Sequence, residues 1–290
     1  MEAYVKKRFI KKIHQKYPVK VIFVTEWGSR AYGLESDNSD FDLRFVYIQK
    51  DNRVYKEYLN KQMTVNLFEL PKVSLETITG KFTKKNESEI DWQGWDVTKA
   101  VKHLYEMNSS IFEWIYSPLV YYNNPNYEFL ENAKRLLKSQ HRISPLIKHY
   151  KLMAKTHYEE YVKGMSEVII KKYAVVARCA IMVKWLLINY KSLLKHKDIT
   201  IDTFEVLLDL KSKLSYWQYK RLYGILWLKK NSPKDWKQSP NDIALIFLDS
   251  IIYNTDKSYT HIKLEEQYEE ESFRKYNKFL RNLLAIKFNI

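Results

Sequence analysis

The sequence predicts an α+β protein: an N-terminal part with a small mixed β-sheet flanked by helices, followed by a C-terminal helical bundle. Three observations predict it. Short runs rich in β-branched and aromatic residues crowd the first hundred positions: "VIFVTEW" (21–27), "FDLRFVYI" (41–48), "TVNLFEL" (64–70) and "EIDWQGW" (89–95). Such runs almost vanish beyond residue 120, where long amphipathic stretches take over. Between the two patterns lies "SPLVYYNNPN" (117–126), and the expected division is into domains 1–120 and 121–290.

The elements follow in order. Residues 2–16 set Val5, Phe9, Ile10 and Ile13 against Lys6, Lys7, Lys11 and Lys12, a helix with a charged outer face that Pro18 stops. The strands at 21–27 and 41–48 come next, then those at 64–70 and 89–95. "DVTKAVKHLYEM" (96–107) reads as a helix with Asp96 as its N-cap. "SSIFEWIYS" (109–117) is a second short helix ended by Pro118. Helices are then expected at 126–139, 144–163, 166–190, 202–211, 215–229, 241–254 and 259–288. No internal repeat and no low-complexity linker interrupts them.

Composition narrows the class. Of 290 residues, 46% are apolar, which excludes a disordered or fibrous chain. No apolar run reaches the roughly 18–20 residues of a membrane span, and the N-terminal stretch lacks a signal-peptide core. The expectation is an intracellular, cytoplasmic protein without a membrane partner. The one cysteine, Cys179, lies in an apolar helical pattern and reads as a buried small hydrophobe. A net charge of +15 and a pI near 9.4 suit polyanionic partners, although a Lys-, Asn- and Ile-rich composition alone produces the same balance. Seven histidines show no zinc spacing; His149 and His157 share a helix without a third ligand.

One neighbourhood carries chemistry. In "TEWGSRAYGLESDNSDFDLRFVYI" (25–48), Gly28 and Ser29 end a strand, and Asp40 and Asp42 open the next. Alternation in a strand turns both aspartates to one side and Phe41 to the core. Two adjacent carboxylates repel unless a cation lies between them or one is protonated. Hard ions such as Mg²⁺ take carboxylate and phosphate oxygens, so the pair suits metal-assisted transfer of a phosphoryl or nucleotidyl group. A solvated strand entry is the plain alternative. Gly28 and Ser29 would supply backbone and hydroxyl to a phosphate, with a helix beginning after them. The loop is no Walker motif, because no Gly-Lys-Ser/Thr ending is present.

"GSRAYG" followed by "SDFDLRF" resembles the nucleotidyltransferases of the DNA polymerase β-like superfamily. The closer resemblance is to a bacterial and phage group described as RNA-repair-associated polymerase β-like proteins, with a GSRA(W/Y)G…SDYD(I/V)R block. That group's later blocks resemble "IDWQGWDVTKAVKHLYEMNSSIFEWIYSPLVYY" (90–122), "HYKLMA" (149–154) and "KKYAVVAR" (171–178). The resemblance spans about residues 22–210. It implies a phosphate-binding pair at Gly28 and Ser29 and metal ligation by Asp40 and Asp42. It offers Asp91 or Asp96 as a third acid; Asp91, in a strand-like frame, is preferred because Asp96 suits a helix cap. Asp91 would complete a metal site and help to deprotonate an acceptor hydroxyl. Arg30 and Arg44 also match, Arg44 either neutralising a triphosphate or pairing with an acid. Lys172 and Tyr173 would wall a nucleotide pocket, or serve as a solvated lysine and a core tyrosine. Thr98 and Asn108-Ser109 depart from the group's Arg and Asn-Pro. The implied activity is transfer of a nucleoside monophosphate from an NTP such as ATP to an acceptor hydroxyl. It would depend on Mg²⁺ (or Mn²⁺) and release pyrophosphate, with RNA or tRNA favoured as acceptor. The alternatives are a catalytically inactive nucleotide- or RNA-binding module of the same fold, or a toxin–antitoxin nucleotidyltransferase.

Overall fold

The computed structural model describes residues 1–37, 39–59, 72–73, 75–82, 89–139, 142–195, 199–233, 235–265 and 270–288. The chain opens with helix α1, which runs through Glu2–Tyr4, a π-helical turn at Val5–Phe9, and Ile10–Lys16. Strands β1 (Val19–Trp27) and β2 (Phe41–Gln49) follow, then short helical turns at Asn52–Tyr55 and Lys56–Leu59. Next come β3 (Thr77–Phe82), β4 (Ile90–Asp96), α2 (Val97–Tyr105), α3 (Ser109–Tyr116) and β5 (Val120–Asn123). The helices α4 (Phe129–Ser139) and α5 (Ser144–Tyr161) precede β6 (Val168–Ile169) and the long α6 (Ile170–Lys195). Then follow α7 (Thr203–Asp209), α8 (Tyr216–Asn231), β7 (Lys237–Gln238), α9 (Asp242–Asn254), α10 (Asp256–Glu265) and α11 (Glu270–Phe288).

Packing gathers these elements into two compact units. One comprises Met1–Gly28, Asp40–Gln140 and Tyr268–Ile290; the other comprises Ser29–Ser39 and His141–Gln267. This grouping joins segments that a division at 120/121 keeps apart. The α+β class of the first part and the helical character of the second are both present.

The first unit is built on a five-stranded mixed sheet of order β3-β4-β2-β1-β5. β2 runs antiparallel to β1 and parallel to β4, while β3 and β5 form the antiparallel edges. Alternation divides the faces. Leu43, Phe45 and Tyr47 of β2, with Ile90 and Trp92 of β4, join Val5, Phe9 and Ile13 of α1 in one core. Phe9 meets Phe45 edge-on at 5.5 Å and Trp92 at 6.5 Å. The lysines of α1 stay exposed, as a charged outer face requires. Residues Asp42, Arg44 and Asp91 therefore project from the opposite face. On that face Trp95 packs on Trp114 of α3 at 4.2 Å.

The strands expected at 21–27, 41–48 and 89–95 are present with small extensions, and the run at 64–70 lies outside the described residues. β3 and β5 were not anticipated. Each has a single strand neighbour, is short, and carries Gly or Asn with Lys or Tyr, so neither shows the apolar run of a central strand. The expected helix at 259–288 is represented by α10 and α11, with residues between them undescribed.

The second unit is helical, centred on α6, which packs against α5, α8 and α9. Its segment Ile170–Leu193 is long and apolar enough to cross a membrane by length and composition, yet 67% of the apolar window is buried inside the protein. Cys179 lies there, buried. Trp185 of α6 donates its indole N–H to Asp209 at 2.6 Å.

Candidate active site

The sheet brings Asp42 and Asp91 together. Parallel pairing of β2 with β4 sets Asp42 opposite Asp91, and antiparallel pairing with β1 sets Trp27 opposite Asp42. The three residues thus form a row across the sheet, where β1 ends and β2 and β4 begin. Both carboxylates face the same side, because Arg44 reaches both: its Nη2 is 3.5 Å from Asp42 Oδ1 and 3.5 Å from Asp91 Oδ2. The Arg44 side chain is 9% exposed, against 27% for Asp42 and 42% for Asp91. A nearly buried cation therefore offsets the repulsion of two solvent-facing acids.

The arginine is itself held in place. Its guanidinium lies 4.8 Å over the Trp27 ring, and it donates to the Leu43 carbonyl at 3.0 Å. Trp27 in turn donates its indole N–H to the buried Glu113 of α3 at 2.7 Å. A second buried acid, Glu26, accepts the Asp42 backbone N–H at 2.6 Å and the Tyr121 hydroxyl at 2.8 Å. Neither Glu26 nor Glu113 was singled out from the sequence. The available signal was an acid inside an otherwise apolar buried run, at "FVTEW" and "IFEWI".

Asp40 is exposed and immediately precedes β2. Gly28 follows β1 with φ +73, and a Cβ there would run into the Asp42 carboxylate, so the close approach and the backbone angle both require glycine. The helix expected after Gly28-Ser29 does not form. A single turn from Ser29 is closed by Gly33 at φ +71, with Leu34 N–H bonded to Ser29 O at 2.9 Å and Gly33 N–H to Arg30 O at 3.4 Å. This is a Schellman closure, which ends helices rather than extends them. No helix dipole is therefore available at Ser29. Arg30 donates to the Ser39 carbonyl at 2.7 Å, bracing the loop.

Asp96 has a different environment. It is fully buried and caps α2 through Thr98 N–H at 2.9 Å. It also accepts from the Thr98 hydroxyl at 2.7 Å, the Tyr55 hydroxyl at 2.5 Å and Gln49 at 3.2 Å. Burial pushes its carboxyl up to about 6, against the pull of those hydrogen bonds. Lys172 and Tyr173 lie on α6 in the helical unit. The Lys172 ammonium is 4.0 Å above the Tyr161 ring, and Tyr173 is fully buried. Among the described residues, no three His, Cys, Asp or Glu side chains converge as a group that could hold a metal ion. The acids at hand are the facing pair, with Asp40 two residues before Asp42 in the chain, and carboxylate oxygen is the donor that hard divalent ions take.

Known proteins resemble this chain. The uncharacterized protein YcgL of Bacillus subtilis (strain 168) is 30% identical over 178 residues, which is 61% of this chain and 60% of that relative. The chain thus spans less than two thirds of that relative's length. A nucleotidyltransferase-like protein from Exiguobacterium sibiricum 255-15, known from a crystal structure, is 14% identical. There 91% of this chain and 79% of that chain are covered, at a TM-score of 0.32. Residues 1–220 match the RNA repair pathway DNA polymerase beta family, and the chain belongs to that family.

Proposed function

We propose that the protein is a nucleotidyltransferase that moves a nucleoside monophosphate from an NTP to an acceptor hydroxyl, with RNA as the favoured acceptor. The observation that carries the reading is the in-register pair Asp42 and Asp91 on one solvent-facing side of the sheet, with the Gly28 backbone turned closely against the Asp42 carboxylate. Membership of a polymerase β-like family supports it. In the proposed reaction the acceptor oxygen bonds to the α-phosphorus, the bond to the β-phosphate oxygen breaks, and pyrophosphate leaves. The hydroxyl proton passes to a carboxylate, for which Asp91 is the candidate. Gly28 and Ser29 would cradle phosphate through backbone and hydroxyl. The facing pair Asp42 and Asp91 would hold Mg²⁺ or Mn²⁺ with phosphate oxygens of the substrate, and Asp40, two residues before Asp42, would have to turn in to join them. Such an ion neutralises phosphate charge and favours the leaving oxygen. Arg44 would stand in for that charge between the carboxylates and turn to the triphosphate on binding. Arg30 would support the phosphate loop. The burial of Tyr173 favours its core role over that of pocket wall.

The test uses each labelled NTP with Mg²⁺ and total RNA. Label should pass to RNA with wild type, and combined Asp40→Ala and Asp42→Ala should lower transfer by at least about a thousandfold. Transfer that survives the double substitution sinks the site. The arginine already between Asp42 and Asp91 favours a second reading, a nucleotide- or RNA-binding module without turnover. NTP binding with no pyrophosphate released is its signature.

A further inference from the structure

The outer face of α8 carries a pattern that the candidate active site does not use. Leu222, Ile225 and Leu226 are buried, which fixes the inner face of the helix. Tyr216, Trp217, Tyr223 and Trp227 are instead between 43% and 67% exposed. Tyr216, Lys220, Tyr223 and Trp227 follow at steps of four, three and four, so they line one stripe. Trp217 and Arg221, both exposed, flank it. The Lys220 ammonium lies 5.7 Å from the Tyr216 ring centre and 5.5 Å from that of Trp217. Exposed aromatic clusters of this kind mark binding surfaces. Gly224 lies within the unbroken helix beside this stripe, and nothing lies within 4 Å of the place its Cβ would take. The packing of the unit does not explain that glycine, and the absence of a side chain leaves the backbone there open to a close approach.

Charge identifies the ligand class. Residues 211–239 hold seven Lys and one Arg against one Asp, a net of +7, together with six aromatic residues. We propose that this face of α8 docks single-stranded RNA, its bases stacking on the aromatic rings and its phosphates meeting Lys220 and Arg221. Exposed flat rings interleaved with cations match unpaired bases on a phosphate backbone, whereas a duplex hides its base faces. A second copy would set positive charge against positive charge. A bilayer would require the aliphatic side of the helix outward, and that side is buried. The platform also leads somewhere. In the last turn of α8, Lys229 donates to the Leu34 carbonyl at 2.6 Å, and Lys230 donates to the Gly33 carbonyl at 3.2 Å and to Glu35 at 3.1 Å. The helix therefore grips the loop that begins with Ser29 and Arg30, and a strand lying on the stripe runs toward that loop. The choice of RNA over DNA rests on the function proposed above.

Fluorescence anisotropy of the full chain with an end-labelled, unstructured RNA of about 12 nucleotides tests the proposal. The combined substitution Trp217→Ala and Trp227→Ala should weaken binding about tenfold or more, with the melting temperature unchanged. Lys220→Gln with Arg221→Gln should reduce the salt dependence by about one to two counterions. A hairpin duplex of the same sequence should bind more weakly, as should vesicles of phosphatidylserine and phosphatidylcholine. Wild-type affinity in the tryptophan variant overturns the proposal, as does equal or tighter binding of duplex or vesicle. Single-stranded DNA bound more tightly than RNA overturns the choice of RNA. The Asp40→Ala, Asp42→Ala protein separates the two ideas: RNA bound without transfer supports the platform whatever the fate of the catalytic reading.

Discussion

Asp91 and Asp96 lie five residues apart at the two ends of β4, and their surroundings give them opposite tasks. Asp91 is open to solvent and shares Arg44 with Asp42, whereas Asp96 is enclosed and accepts four hydrogen bonds. The enclosure has a pH signature. Burial raises the Asp96 carboxyl from 3.8 to about 6. Between those values the folded chain holds more proton than the unfolded one, so stability falls as pH rises across the window. The change amounts to about 3 kcal/mol and is complete by about pH 7. Asp96→Asn cannot titrate. The stability of wild type relative to this variant should therefore decline between about pH 4 and 7, read from urea midpoints. A difference that stays constant with pH would mean that Asp96 titrates at an ordinary value. The sequence made the contrast between these two residues legible, because a strand frame and a cap position are both local patterns. Glu26 and Glu113 were illegible for the converse reason. Their partners, the Asp42 N–H and the Trp27 indole, are supplied by register and by packing between distant elements.

At the scale of elements, the central strands and the helices were legible because each carries its own periodicity. The edge strands were not, since an edge is defined by its neighbour. The segment after Gly28 shows how a local signal is overridden. Strand, glycine, serine and apolar residues suggest a helix start, but Gly33 closes the first turn in the left-handed region. A Cβ at Gly33 would also collide with the carboxylate of Asp202, which caps α7. Gly224, in the middle of α8, meets nothing. The two glycines should consequently respond to alanine with opposite sign. Gly33→Ala should cost about 1–3 kcal/mol through backbone strain and displacement of the cap. Gly224→Ala should add up to about 1 kcal/mol, because a helix interior with room for a methyl group prefers alanine. Thermal melting of both variants gives the comparison, and destabilisation by Gly224→Ala would mean that α8 needs its glycine for the fold.

At the scale of the molecule, chain order and packing order differ. The last helix, α11, belongs to the same compact unit as the sheet, although more than a hundred residues of the helical unit precede it. Its Tyr276, Leu280, Leu283 and Leu284 are buried. Tyr276 meets Tyr105 of α2 at 5.6 Å, and Phe279 stacks on Phe129 of α4 at 5.8 Å. Four such side chains, at about 1.5–3 kcal/mol each on burial, rival the whole net stability of an ordinary domain. The division at 120/121 expected from composition omits this contribution, since a helix adjacent in sequence to a bundle reads as part of it. A fragment of residues 1–120 should therefore fail to fold alone, lacking α4, α11 and the edge strand β5. A chain ending at residue 267 should keep its helical unit while its sheet-bearing unit becomes open to protease. Limited proteolysis followed by mass spectrometry reads the outcome directly. Early cuts within residues 41–123 of the shortened chain, absent from the full one, are expected. A resistant 1–120 fragment would instead establish the sheet as self-sufficient and reduce α11 to a surface addition.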